Sequence, residues 1–431
     1  MYHQSKAHDR QSRERYPMKS LMIIFRTALE LARLKFAYFL YGCVFVVCAL
    51  HTAVQPIAQE YCAGFNSIDY FSNATDEEVR LCIDADANIA ARDDEGATPL
   101  HHAASFGTEG MIVALLAAGA EVEARAANGW TPLHEAGAVG TPQAAEVISV
   151  LVAAGAEIDS RTTRGETPLH VTAREGMSYA VDALLNGGAD PNARDRNGWI
   201  PLHLAARSSG YVGPGVIDAL LNGGSELSAR DAAGMTPLHW AASRNINSEV
   251  IEALIAAGAD PNARADLALS VVLDEMIADN EDPRVIDLVR VAATDAEVQG
   301  ELGWSPLHLA GAYNQNPSVI KALLDAGAEL EARSEGLTSL HVAASYNASP
   351  AIVMALLDAG ARIGARDGQG RTPLHLAAQS NENSAVIAAL LDAGADPRTV
   401  DDAESLPWDY VRERSELSES TAYWRLHEAR F

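Results

Sequence analysis

Thirteen histidines and four cysteines are the residues of this 431-residue chain best suited to chemistry, and their spacing decides whether they perform any. Eight of the histidines, His101, His134, His170, His203, His239, His308, His341 and His375, close one recurring tetrapeptide. It reads Thr-Pro-Leu-His from Thr98, Thr131, Thr167, Thr236 and Thr372, with near-copies from Ile200, Ser305 and Thr338. Zinc needs its ligands about 2 Å from one centre. Histidines that recur once per layer of packed helices stand on the order of 8–10 Å apart, so such a row cannot share a metal. His134-Glu135 and His170 with Glu175 have the makings of acid–base pairs, yet each occupies an ordinary position of the recurring unit. No Gly-rich phosphate loop, Cys-x-x-Cys, nucleophile elbow or His-Glu-x-x-His occurs. The sequence therefore predicts a protein that is not an enzyme and needs neither cofactor nor metal.

What positions the histidines is a repeat. The marks at 98, 131, 167, 200, 236, 305, 338 and 372 are separated by 33, 36, 33, 36, 69, 33 and 34 residues. The step of 69 spans two periods and places a decayed copy at Val271-Val272-Leu273-Asp274. Threonine before proline is a good helix N-cap, and proline fits the first helical position. Leucine and alanines then make a short first helix. A second helix carries Val, Ile, Leu and Leu at helical period, as in Val250, Ile251, Leu254 and Ile255, and ends at a glycine such as Gly258. Arg-Asp-x-x-Gly links one unit to the next, as at Arg194 to Gly198, and supplies a tight turn. Two helices this short cannot bury their apolar faces alone, so units must stack.

These residues resemble the ankyrin repeat family, whose hallmark is Thr-Pro-Leu-His-x-Ala on a period of about 33. The resemblance implies an all-α fold: a solenoid of helix-turn-helix repeats with short β-turn fingers. Its expected limits are residues 61–431, with an N-terminal half-repeat over 61–95, about nine repeats over 96–400 (one degenerate near 265–298), and a C-terminal cap over 401–431. In the C-terminal cap, Trp424, Leu426 and Phe431 are expected to pack back on the last full unit. The resemblance also implies that the motif histidine bonds within its own turn and to the next unit.

Ahead of the array the composition changes. Residues 1–35 carry eight Lys or Arg and three Asp or Glu, a net of +5, whereas the whole chain is −26 and residues 36–431 are therefore −31. So acidic an array repels phosphate backbones, which argues against nucleic acid as a partner. Residues 36–54 form an apolar run that, at about 1.5 Å per residue, nearly spans a bilayer core of ~30 Å. The preceding Lys19, Arg26, Arg33 and Lys35 would hold the amino end in the cytoplasm and send the repeats outside it. The expectation is thus a single-pass cell-membrane anchor with the repeats periplasmic or extracellular, a bacterial-like exported or membrane-anchored member. The alternative is a cleaved signal and a secreted product, with translation starting at Met18 or Met22 and cleavage near Ala53 or Ala58. Cys43 and Cys48 lie in the apolar run; Cys62 and Cys82 flank the first half-repeat, and a Cys62–Cys82 disulfide is predicted there.

In ankyrin-like arrays partners meet the concave side, so the resemblance nominates two columns. Following each turn glycine come Trp130, Trp199, Met235, Trp304, Leu337 and Arg371; the first helices add Phe106, Arg174, Arg207, Arg244, Tyr313 and Tyr346. Large aromatics at an exposed turn are suited to binding hot spots. The alternative is that each tryptophan covers the neighbouring finger and only stabilises the stack. Trp240, in the position after the motif histidine, is expected between helices. The functional expectation is a monomeric protein–protein interaction scaffold binding an unknown protein or peptide. A structural spacer at the membrane surface, with no defined ligand, is the second reading.

Overall fold

Each first helix starts because its head residues leave it no other choice. Thr98 is extended (φ −101°, ψ 166°), Pro99 takes the first helical position without losing a hydrogen bond, and the backbone turns into Pro99–Phe106. In the computed structural model, which describes residues 62, 64–141, 143–208, 213–265 and 303–430, this start recurs at Pro132–Ala138, Pro168–Glu175, Pro201–Arg207, Pro237–Arg244, Pro306–Tyr313, Ser339–Tyr346 and Pro373–Ser380. A second helix follows each one: Glu109–Ala117, Ala144–Ala153, Ser178–Asn186, Pro214–Asn222, Ser248–Ala256, Pro317–Asp325, Pro350–Asp358 and Ser384–Asp392. Asn247, Asn316 and Asn383 cap three of these with side-chain hydrogen bonds. Among the described residues there is no strand; the fingers are turns, one of them closed by an isolated bridge between Ser334 and Leu337.

The chain divides into two compact units, Met1–Ala63 with Asp84–Ala87, and Gly64–Ile83 with Asn88–Phe431. Of the first, only Cys62 and residues 84–87 are described. The hydrophobic segment 36–54 lies outside the described residues, and among those described no helix is long and apolar enough to cross a membrane. The second unit is the helical array. First helices pack on first helices and second on second, so that Leu100, Leu133, Leu169, Leu202, Leu238, Leu307, Leu340 and Leu374 form one continuous buried row. Pairs such as Val250 with Ile251 and Val386 with Ile387 fill the space between the two helix layers.

Both ends depart from the repeat in physically sensible ways. At the start, Ile68–Phe71 stands in for a first helix, burying Phe71, and Asp76–Asp84 follows as the second, with Asp76, Glu77 and Glu78 in its first turn, where the helix dipole favours negative charge. At the other end, Pro407–Val411 has Asp409 where the histidine stood. Its carboxylate accepts from the Leu406 N–H at 2.9 Å and keeps the capping bond without the ring. Leu426 is buried as expected, but Trp424 is 51% exposed: it lies on the outward side of Thr421–Ala429 and does not cover the last repeat. Phe431 lies outside the described residues.

The long step of 69 residues is crossed in one layer. His239 reaches the Trp304 carbonyl at 3.1 Å, Asn314 reaches the Ala242 carbonyl at 3.0 Å, and Arg264 reaches the Arg333 carbonyl at 3.0 Å. The histidine and arginine bonds recur between neighbouring layers along the array, and the asparagine bond recurs from Asn245 onward. The finger itself closes through Ala265 N–H to Trp304 C=O at 3.3 Å, the counterpart of Asp231 N–H to Met235 C=O at 3.0 Å. Ala265 and Gly303 therefore stand where Asp231 and Gly234 stand in the preceding finger. The decayed copy expected near 265–298 lies, from residue 266 onward, outside the described residues. A chain in which 266–302 is replaced by the two residues found in the preceding finger, Ala-Ala, is expected to unfold in one cooperative transition with an undiminished midpoint. Circular dichroism melting checks this, and a split or lowered transition would show that the layers depend on the replaced residues.

Candidate binding face

The row of histidines is a set of interlayer bolts. In each full-motif unit the backbone N–H of the threonine donates to the histidine Nδ1, at 3.1 Å for Thr98 and His101. That leaves Nε2 protonated, and it donates to a carbonyl of the next finger: Trp130 for His101, Glu166 for His134, Trp199 for His170, Met235 for His203. The pattern continues through His308, His341 and His375 to Leu337, Arg371 and Ser405. All eight rings are fully buried. Burial lowers the pKa of His101, His134, His170, His203, His239 and His308 to about 4, and the carbonyl bond only partly offsets it; His341 and His375 are lowered too. No cluster able to hold a metal occurs among the described residues.

Two further ladders run beside the histidines, and neither was anticipated. Each finger arginine from Arg92 to Arg333 donates to the glycine carbonyl of its own turn and to the carbonyl of the next arginine in line, as Arg194 does to Gly198 at 2.8 Å and Arg230 at 2.7 Å, and Arg366 donates to the Gly370 carbonyl of its own turn. Buried Asn245, Asn314, Asn347 and Asn381 each donate to two carbonyls of the preceding layer. Arg414 takes over that role at the end of the array, bonding the Ala378 and Asn381 carbonyls. The signal for both ladders was present as recurring Arg and Asn; their targets are main-chain atoms and leave no trace in residue identity.

The column after the turn glycine is largely covered. Trp199 is 6% exposed, Trp304 7%, and Met235 is fully buried; Trp130, Leu337 and Arg371 are half-buried. The exposed aromatic ladder expected there is corrected for Trp199, Met235 and Trp304. Each finger lies against the next, and with Leu204, Trp240, Leu309 and Val342 from the first helices these residues form an apolar seam. Trp240 is buried, as expected, its Nε1 donating to Asp231 at 2.7 Å. Arg371 is held by Asp367 at 2.8 Å and Gln379 at 3.0 Å.

The second column is the more accessible one. Phe106 is 40% exposed, and Arg174, Arg207, Arg244, Tyr313 and Tyr346 are half-buried. Four of these come together. Arg174, Arg207, Arg244 and Tyr313, from four successive first helices, line a groove of about 500 Å³ whose rim includes Ile246, 55% exposed. That volume is typical of a ligand cleft. Tyr313 stacks on Trp304, ring centroids 6.2 Å apart at 24°, which ties the groove floor to the apolar seam. Phe106 and Tyr346 do not line it.

A family model described as ankyrin repeats (3 copies) matches residues 70–162, 137–231, 174–265, 275–367 and 307–401, well over half of the chain. No curated protein matches it.

The histidine burial has a thermodynamic consequence with a definite sign. In the unfolded chain these rings titrate near 6.5; in the folded chain six titrate near 4, so the unfolded state binds more protons as pH falls below 6.5. The stability they contribute is complete above that value and is lost as pH falls toward 4. Calorimetric unfolding in buffers of different ionisation enthalpy is expected to show uptake of several protons at pH 6 and almost none at pH 8. Equal uptake at both would mean the rings are not held neutral. The carboxyls of Glu135, Asp195 and Asp231, raised by burial, act in the opposite direction, and comparing pH 6 with pH 8 keeps their effect small.

Proposed function

As this chain belongs to the ankyrin-repeat family, we propose that it is a non-enzymatic scaffold that binds a protein or peptide along its first helices and fingers. Ankyrin repeats generally mediate protein–protein interaction, and proteins built from them are typically not enzymes. One observation carries the choice of face. The groove of Arg174, Arg207, Arg244 and Tyr313 is concave, is lined by side chains from four layers, and is rimmed by an exposed isoleucine. The second helices offer only scattered exposed apolar residues such as Val113 and Met354, and isolated ones need no explanation. A purely structural spacer would have no use for such a cleft.

The test is a pair of charge insertions. Immobilised full-length protein carrying Phe106→Glu and Ile246→Glu is expected to lose the proteins that the wild type retains from a lysate of its own cells. The same insertions at Val113 and Met354, on the second helices, are expected to leave retention intact. Loss in the second variant with retention in the first would overturn the choice of face.

We place this scaffold outside the cytoplasm, tethered through residues 36–54. The support is the apolar run behind Lys19, Arg26, Arg33 and Lys35, and the distribution of cysteine. No cysteine follows Cys82 in the array, and Cys82 is itself fully buried, in keeping with a Cys62–Cys82 bridge at the array's entrance. Export would oxidise that pair. A maleimide reagent applied to denatured protein from intact cells, without reductant, is expected to leave Cys62 and Cys82 unlabelled; labelling of both would remove the bridge and its support for export.

A further inference from the structure

The position after the motif histidine is a packing position. Val171, Leu204, Trp240, Leu309, Val342 and Leu376 occupy it in six layers, and all are buried. His102 fills it in the first layer, buried and 3.0 Å from Asp93. At Glu135 alone among the motif copies the chain places a carboxylate there. Glu135 is half-buried and accepts a hydrogen bond from the Ser105 hydroxyl at 2.9 Å. Among the described residues no arginine or lysine pairs with it. A carboxylate withdrawn from water without a cation costs free energy that an apolar side chain in the same place would not. Burial pushes the Glu135 carboxyl above its ordinary value; the Ser105 bond opposes this, and the charges of Glu95 and Asp93 add to it. Stacking has no use for this group, since the other motif layers close without a carboxylate at the same position.

Its surroundings continue the pattern. Next to Ser105 stands Phe106, 40% exposed at the end of its helix. Asp94 and Glu95, at the tip of the finger that leads into Pro99–Phe106, are exposed. Arg92 of that finger is directed at backbone, donating to the Gly96 and Arg125 carbonyls at 2.7 and 2.6 Å. On the next first helix Arg174 is shared by Glu166 at 2.6 Å and Glu175 at 3.4 Å, so two carboxylates there meet one guanidinium. An exposed ring thus stands beside a half-buried carboxylate, with further negative charge on both sides.

We propose that Glu135 and Phe106 form a docking site for a basic segment of a partner protein, with a Lys or Arg side chain on the Glu135 carboxylate and an apolar side chain on the Phe106 ring. Charge complementarity selects this occupant. A cation completes a half-buried carboxylate and is attracted to an aromatic face, whereas nucleic acid and acidic segments are repelled by the same groups. The site rests on the reading that the first-helix face binds protein, and names the chemistry of one part of that partner.

Fluorescence polarisation with the full chain tests it, in physiological salt, where screening confines each charge to about 8 Å. The probe is a fluorescein-labelled peptide alternating Lys with Leu and Ser, compared with copies carrying Gln or Glu for Lys. The Lys peptide is expected to bind at least about tenfold more tightly than its Gln copy, the size of one charge-assisted hydrogen bond, and the Glu copy most weakly. Glu135→Gln should cost about the same factor, Phe106→Ala part of it, and Glu252→Gln, exposed on a second helix, nothing. Glu135→Leu separates docking from support of the stack. It should abolish the preference for Lys yet melt no earlier than the wild type, because leucine suits this packing position. Early melting of both Glu135 variants would show that the carboxylate holds the stack, and would overturn the proposal; should only one melt early, the other decides. Equal binding of the Lys and Gln peptides, or an equal loss in Glu252→Gln, would overturn it too. Displacement of the peptide by an equal concentration of spermidine would do the same, by giving the site to a small polyamine. If the Lys peptide fails while the Phe106 and Ile246 insertions still abolish protein retention, the face binds a partner of other chemistry and only this inference falls. If both fail, the wider reading falls with it.

Discussion

One bond holds the array in register: the neutral histidine ring of each layer donating from Nε2 to a carbonyl in the next finger. It works because the ring's other nitrogen is already occupied. The threonine N–H, an orphan donor at the start of any helix, points at Nδ1 and fixes the tautomer. A single side chain thus satisfies the helix start of its own layer and a finger carbonyl of its neighbour, both in places water cannot reach. Lose either partner and a buried polar group is stranded, at about 1–3 kcal/mol. The tetrapeptide is therefore an indivisible unit: threonine supplies the cap, proline the turn, leucine the core and histidine the link.

Stacking by polar bonds to backbone has consequences for specificity. Apolar burial alone would let layers slide, since one leucine row resembles another. The histidines on the inside, the arginines along the fingers and the asparagines at the helix turns all aim at main-chain carbonyls one layer away. Two such fixed points per layer, with a third from Asn245 onward, hold the spacing and the rotation between neighbours. The junction from the Thr236 unit to the Ser305 unit shows how strong this is. Those units are far apart in the chain, yet they meet through the same bonds as sequence neighbours.

Much of this was legible in the sequence, and the part that was not shares one property. Helix starts, caps and glycine ends depend on residues within one unit, so reading one unit suffices. Thr98 with His101, Asn316 before Pro317 and Gly258 at φ 101° all stand as their types require. Burial of Trp199 and Trp304 depends on what the adjacent layer lays over them, and a turn tryptophan looks the same whether covered or bare. The Arg and Asn ladders were hidden for a related reason, because a carbonyl acceptor carries no residue name. Trp424 was the opposite case, an aromatic expected to pack on the last full unit that instead stands 51% exposed.

The division between positions that hold the stack and positions that do not locates function more sharply than exposure does. Along the first helices the leucine, the histidine and the small residues behind them hardly vary, since each is hemmed in on both sides; a Cβ on Gly137 would lie 2.1 Å from the Thr172 hydroxyl. Eight residues after the threonine mark, constraint eases. There the chain places Phe106, Glu175, Arg244, Tyr313 and Tyr346, whereas the residue before is still buried in most layers, as Ser105, Ser243, Ala312 and Ser345 are. Nothing in the packing demands an arginine in one layer and a tyrosine in another. A stack so tightly specified elsewhere leaves these sites the most open to variation, and what it carries around Arg207 is a guanidinium set on two aromatic rings.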